Sequence, residues 1–178
     1  MYKSTVYTIL GVLAMEPMSG YEIKKVLNDS TKHFWSESAG QIYPALKTAL
    51  NDGLIDIHQQ ADSRSKVSYT ITDDGKEVLD SWLRLAPEKF TMRNELLLKV
   101  FFGNNTDEEV TISYLEEHLI KINAKLRTFQ SLEKAVREHV DQKINGAKYW
   151  YIAVKHGLHS LEASKEWAKQ SIEFIKNN

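Results

Sequence analysis

Cysteine is missing altogether from this 178-residue chain. That excludes disulfides, thiolate zinc sites and cysteine nucleophiles, and it fits a reducing cytoplasm. No window approaches about 18 uncharged apolar residues, so no transmembrane helix is expected. The opening MYKSTVYTILGVLAMEPMSG has an apolar run but a single lysine and no small-residue cleavage site. It makes a poor signal peptide and reads as a core helix. Charge of one sign is also lacking: the formal net charge is −1, so no overall basic field announces nucleic acid. Any such site has to be a local basic face on a balanced protein. The patterns GxSxG, GxxxxGK and HExxH do not occur, and the carboxylates are scattered, so neither an enzyme nor a cofactor is expected.

Apolar material is not lacking. With 42% hydrophobic and 26% charged residues, the composition is that of a soluble globular protein with a real core. The length suits one domain, or a small domain with an appended segment. Proline occurs 3 times. Pro17, with Ser19-Gly20, marks a turn after an apolar first helix over Ser4 to Met15, and Pro87 follows the fourth helix. Pro44 is the odd one. It interrupts ESAGQIYPALKTALNDGLI, where Ile42, Ala45, Leu46, Ala49 and Leu50 keep helical spacing. A proline in a helix interior costs roughly 3 kcal/mol, so a start near Gly40 is expected, with Pro44 in the first turn. The box Ser38–Gln41 would place it too deep.

Ser19 followed by Glu22 is a capping-box pattern for a second helix, with Ile23, Val26 and Leu27 as its apolar stripe. A short loop carrying His33, Phe34 and Trp35 leads to the Pro44 helix, and Gly53 suits the left-handed position at its end. Beyond Gly53 the period changes to two. LIDIH and KVSYTI alternate as strands around the polar tip QQADSRSK. Thr72 caps a fourth helix whose first turn holds Asp73 and Asp74. Three helices, two strands and a helix within residues 1–86 form a winged helix-turn-helix, with the Pro44 helix as its recognition helix.

Residues 87–178 read differently. A short apolar helix, RNELLLKVFFGNN, precedes a long periodic segment capped by Thr106 with Glu109 and running to about Ile144. Another helix begins or continues near NGAKYWYIAVKHG. A helix of about 35 residues is ~50 Å long, more than a small domain covers, and such a helix usually buries its stripe against another chain. The pattern predicts a homodimer with this arm as its main interface. The alternative is an intrachain two-helix hairpin packed on its own winged helix. The fold class expected is thus mainly α: a winged helix-turn-helix DNA-binding domain followed by a long-helix dimerisation domain.

ILGVLAMEPMSGYEIKKVL, followed by FWSESAGQIYPALKTALNDGLI, resembles the PadR family of bacterial transcriptional regulators. YTITDDGKEVLDSWL is similar to that family's second wing strand and fourth helix. The tail YWYIAVKHGLHSLEASKEWAKQSIEFI is similar to the carboxy-terminal helix of members with a virulence-activator-type arm. The resemblance implies a homodimer on an inverted-repeat operator, usually a repressor, in some members released by phenolic acids or drug-like aromatics. The wing departs from the commonest family form, with serines and one arginine in place of a more basic run.

On that reading Tyr43 and Pro44 match the family's YP. The Tyr43 hydroxyl would reach a DNA phosphate and Pro44 would hold the helix start, unless Tyr43 packs under the wing. Gln41 would bond an adenine edge or serve only as a cap. Lys47 and Ser38 suit the phosphate backbone, although an exposed lysine is often merely solvated. Arg64, Ser65 and Lys66 at the wing tip would reach a flanking minor groove or phosphates. Ser19 and Tyr21 at the start of the second helix would touch the DNA backbone, although capping and packing explain them equally well. His156, His159 and Glu162 have metal-like helical spacing, but one helix is too little and no metal is expected. Tyr149, Trp150, Tyr151, Phe101 and Phe102 either line an aromatic effector pocket or form core and interface. A small aromatic effector, with no residues assigned to it, completes the expected partners beside double-stranded DNA and a second copy. No membrane partner is expected. A winged-helix protein-binding module without DNA binding is the rival class.

Overall fold

The computed structural model describes residues 2–31, 35–58, 67–87 and 93–178. It divides into two compact units, Met1–Lys89 and Phe90–Asn178. The wing tip with Arg64, Ser65 and Lys66, and the loop residues His33 and Phe34, lie outside the described residues. Among the described residues no helix is long and apolar enough to cross a membrane.

In the first unit α1 (Ser4–Leu13), α2 (Gly20–Ser30), α3 (Ala39–Asn51) and α4 (Asp73–Leu83) surround a small sheet. Its strands β1 (Met18–Ser19), β2 (Ile55–His58) and β3 (Ser68–Ile71) lie in the order β1-β3-β2, all antiparallel. This is a winged helix-turn-helix: α2 and α3 form the motif and β2–β3 the wing. Strand β1 is a departure from the sequence reading. The segment Pro17 to Gly20, read as a turn, instead pairs Met18 with Tyr69 and Ser19 with Ser68. Two residues are too few to show a period, so only the partner strand defines them as a strand.

The core joins Ile9, Leu10 and Leu13 of α1 to Ile23 and Leu27 of α2, to Ile42, Leu46 and Ala49 of α3, and to Leu54 and Ile55 entering the wing. Tyr7 on α1 stacks on Trp82 of α4 with centroids 4.8 Å apart. The wing root is tied at Thr72, whose N–H donates to the Leu54 carbonyl at 3.1 Å and whose hydroxyl donates to the Gly53 carbonyl at 2.7 Å. The same hydroxyl accepts from Gly75 N–H at 3.1 Å, capping α4. Gly75 lies so close to the Leu54 carbonyl that no Cβ fits there. Gly53, at φ +70°, ends α3 in the left-handed conformation as expected.

The start of α3 corrects the sequence reading. The helix begins at Ala39, next to the expected Gly40, yet Ser38 is its cap and forms the box with Gln41. Ser38 N–H and Ser38 hydroxyl both donate to Gln41 Oε1, at 2.9 and 2.8 Å. Pro44 is therefore the sixth helical residue rather than a first-turn proline. Its missing N–H releases the carbonyl of Gly40, an exposed residue where water can take the bond. The buried stripe Ile42, Ala45, Leu46 and Ala49 holds the helix through the lost bond.

The second unit contains α5 (Glu95–Phe101), a 3-10 turn (Gly103–Asn105), α6 (Glu108–Asp141) and α7 (Ala147–Lys176). Thr106 does not cap α6, as its spacing to Glu109 suggested. Its N–H closes the 3-10 turn on the Gly103 carbonyl, and Asp107 occupies the cap position. Helix α6 ends at Asp141, short of Ile144. Lys143 at φ 57° and Gly146 at φ 84° then reverse the chain into α7. The two long helices form an antiparallel hairpin around Ile122, Leu126, Phe129, Val136, Val154 and Leu158. Part of the α6 stripe thus closes within the chain, where helix length alone suggested a second copy. Phe129 lies directly on the backbone of Gly157, and a Cβ there would meet its Cζ at 2.8 Å.

Candidate nucleic-acid interface

Helix α3 has two faces of opposite character. Ile42, Ala45, Leu46 and Ala49 are buried, while Gln41, Tyr43, Pro44, Lys47 and Thr48 are exposed along the other side. The exposed set begins at the amino end, where a recognition helix meets base edges. Tyr43 remains 53% exposed. Its ring lies over Gly20 at the start of α2, where a Cβ would come within 2.9 Å of Tyr43 Cε1. A side chain at position 20 would have to displace the Tyr43 ring, a contact not legible in the sequence, where a glycine next to a capping serine looks like ordinary turn chemistry. Tyr21, next to Gly20, is 66% exposed, whereas Ser19 is buried. Ser19 N–H and hydroxyl both donate to Glu22 Oε2, at 2.8 and 2.7 Å, so Ser19 is a cap.

The Ser38–Gln41 bonds limit what Gln41 can do. Bidentate reading of adenine needs the side-chain carbonyl as acceptor and the amide NH2 as donor. Gln41 Oε1 already accepts two bonds from Ser38, which leaves the NH2 group to donate outward. Exposed Lys47 is on the same face, with no ion pair among the described residues. Ser38 itself is exposed and engaged with Gln41. The arrangement presents donors of one polarity from one helix end, which suits an anionic or acceptor-rich surface.

The remaining candidates fall elsewhere. Among the described residues no group of three or more His, Asp or Glu side chains could hold a metal. His156, His159 and Glu162 are exposed on α7. Trp150 meets His139 edge-on across the hairpin at 6.3 Å, and the Tyr151 hydroxyl donates to Glu133 at 3.3 Å, so both serve hairpin packing. Phe101 and Phe102 are exposed and stand edge to face with each other at 5.0 Å. Tyr149 is exposed.

Residues 9–81 match the family model described as the transcriptional regulator PadR-like family, and residues 92–176 match that described as virulence activator alpha C-term. The negative transcriptional regulator PadR of Bacillus subtilis (strain 168) is 36% identical over 174 residues, covering 95% of this chain and 96% of that protein. The chain belongs to the PadR-like family of transcriptional regulators. This is a family of regulators rather than enzymes. Two solved structures of Bacillus subtilis PadR extend the likeness to three dimensions. PadR in complex with operator DNA superimposes with a TM-score of 0.85 at 27% identity, covering 97% of this chain and 99% of that one. PadR in complex with p-coumaric acid gives 0.79 at 27% identity, covering 98% and 99%.

Proposed function

We propose that this PadR-like protein is a cytoplasmic repressor that binds an inverted-repeat operator as a homodimer and is released by a small aromatic effector. The observation that carries the reading is the exposed face of α3, with Gln41, Tyr43, Pro44 and Lys47 aligned from its amino end opposite a fully buried stripe. Residues 1–86 would be the DNA-binding domain. Ser38, Gln41, Tyr43, Pro44 and Lys47 would contact one major groove, and Arg64, Ser65 and Lys66 of the wing its flank. Tyr43 and Lys47 would serve the phosphates. The Gln41 NH2 group would donate to a base or phosphate acceptor, because its carbonyl is occupied.

Residues 87–178 would dimerise. The exposed Leu98, Phe101, Phe102, Ile120, Ile152 and Phe174 are apolar surface of the kind a second copy covers. Two recognition helices about one helical turn apart, ~34 Å, would then enter successive major grooves. The similarity to PadR, solved with operator DNA and with p-coumaric acid, supports both the DNA and an aromatic carboxylic acid as ligands. A cytoplasmic place agrees with the absence of cysteine and of a membrane-length helix among the described residues.

The test is fluorescence anisotropy on the gene's own upstream duplex against a shuffled duplex, across a salt series. Preference for the upstream duplex is expected, with a logarithmic salt slope of about −0.9 per phosphate contacted. Combined Tyr43→Phe and Lys47→Ala substitution should weaken both duplexes and flatten the slope. No binding at low salt, where even non-specific contacts register, would favour the protein-binding module instead.

A further inference from the structure

Glu37 is a buried acid outside the exposed face of α3, only 6% accessible, immediately before the Ser38 cap. Its two oxygens serve different elements. Oε1 accepts the Trp35 indole N–H at 2.8 Å, and Oε2 accepts the hydroxyl of Thr5, itself buried on α1, at 3.2 Å. Trp35 is anchored in turn to the end of α2. Its backbone N–H donates to the Thr31 carbonyl at 2.7 Å, and the Thr31 hydroxyl is shared between the Trp35 carbonyl at 3.1 Å and the Leu27 carbonyl at 3.2 Å. Glu37 therefore ties α1 to Trp35, and through Trp35 to the end of α2, one residue before the α3 cap.

A buried polar group with all its partners in place defines a single arrangement of the elements that supply them. Here the arrangement defined is the entry of the chain into α3, one residue from the Ser38–Gln41 bonds. We propose that Glu37 is a positioning residue for operator recognition: it touches no DNA, yet through Thr5 and Trp35 it sets the angle at which the amino end of α3 is displayed. The inference rests on the DNA-binding reading above. It has its own signature, because contacts to base edges depend on orientation more strictly than contacts to phosphates. Loss of Glu37 should cost discrimination, not general affinity.

The experiment uses the full chain and its Glu37→Ala, Glu37→Gln and Thr5→Val variants, titrated against the preferred upstream duplex and a shuffled one, with thermal melts alongside. Glu37→Ala should weaken the preferred duplex about tenfold, equivalent to about 1.4 kcal/mol, with shuffled-duplex affinity and salt slope unchanged. Glu37→Gln should restore most of that loss, since its carbonyl still accepts from Trp35 and its NH2 can donate to the Thr5 hydroxyl. Equal losses on both duplexes, or no loss in a Glu37→Ala chain that melts like wild type, would overturn the proposal. Should Glu37→Ala fail to fold, Thr5→Val decides, since it removes one bond and almost no volume: reduced discrimination supports the role and unchanged discrimination refutes it. A wild-type chain without preference between the duplexes defeats the DNA-binding reading, and the positioning role falls with it.

Discussion

The winged-helix unit and the long-helix unit handle apolar surface in opposite ways. In the first, Ile9, Leu10, Ile23, Ile42 and Ile55 are fully buried among elements of one small domain. In the second, the hairpin buries a single seam, while Phe101 at 78% and Ile120 at 71% exposure stand out from its helices. Two long helices side by side cannot enclose a core from all directions. The first unit therefore has the makings of independent stability, whereas the stability of the second should depend on what covers its outer faces, and so on concentration.

The largest effect that would break this contrast is Ile42→Ala, since truncating a fully buried isoleucine costs about 2–5 kcal/mol. Calorimetry should show the winged-helix transition moving down while the hairpin transition stays. If both move together, the units are not energetically separate. Gly157→Leu makes the converse attack on the hairpin, forcing apart Phe129 and α7. Overpacking of about 3 kcal/mol against a helix-propensity gain of about 1 kcal/mol leaves a net loss of about 2 kcal/mol. Hydrogen exchange should rise in α6 and α7 only. Thr72→Ala removes the α4 cap and the tie to Gly53, and should cost the first unit about 1 kcal/mol in urea denaturation.

The smallest effect sharpens the contrast through pH. His118 bridges the hairpin, its Nε2 3.0 Å from the Ser164 hydroxyl and its ring edge-on to Trp167. Burial, followed by the charges of Lys125 and Lys121, holds its pKa below the ordinary value. The folded state thus prefers neutral His118, and the unfolded chain takes up the proton first as pH falls. Its contribution is complete above the unfolded value, about 6.5, and is lost as pH drops through the lower folded value. Urea midpoints at pH 7.5 and 5.5 should diverge for the hairpin, and His118→Gln should shrink that difference. An unchanged difference would assign the pH effect to other groups.

Much of the first unit was legible because its local signals agree with one another. Ser19–Glu22 and Thr72 are caps where their chemistry says so, and Gly53 takes the left-handed conformation that ends α3. Pro44 lies deeper in α3 than its local cost predicts, because the burial of the stripe around it outweighs that cost. Thr106 is the reverse case, a good capping pattern whose backbone is committed to the 3-10 turn. Among the site residues, the exposed face of α3 follows from helical spacing. The occupied carbonyl of Gln41, the seat of Tyr43 on Gly20 and the buried bonds of Glu37 do not, since each depends on a partner brought up by folding.

By itself the sequence determined the kinds of elements and most of their order, since helical and strand periods, caps and turn residues are properties of neighbouring side chains. It also marked which face of α3 is polar. Only the tertiary structure decided that α3 tolerates Pro44 inside, that Met18–Ser19 becomes a strand, and that α6 folds back onto α7 of the same chain. The physical reason is common to all three. Burial and hydrogen bonding between segments distant in the chain are as large as local preferences, and they act only when those segments meet.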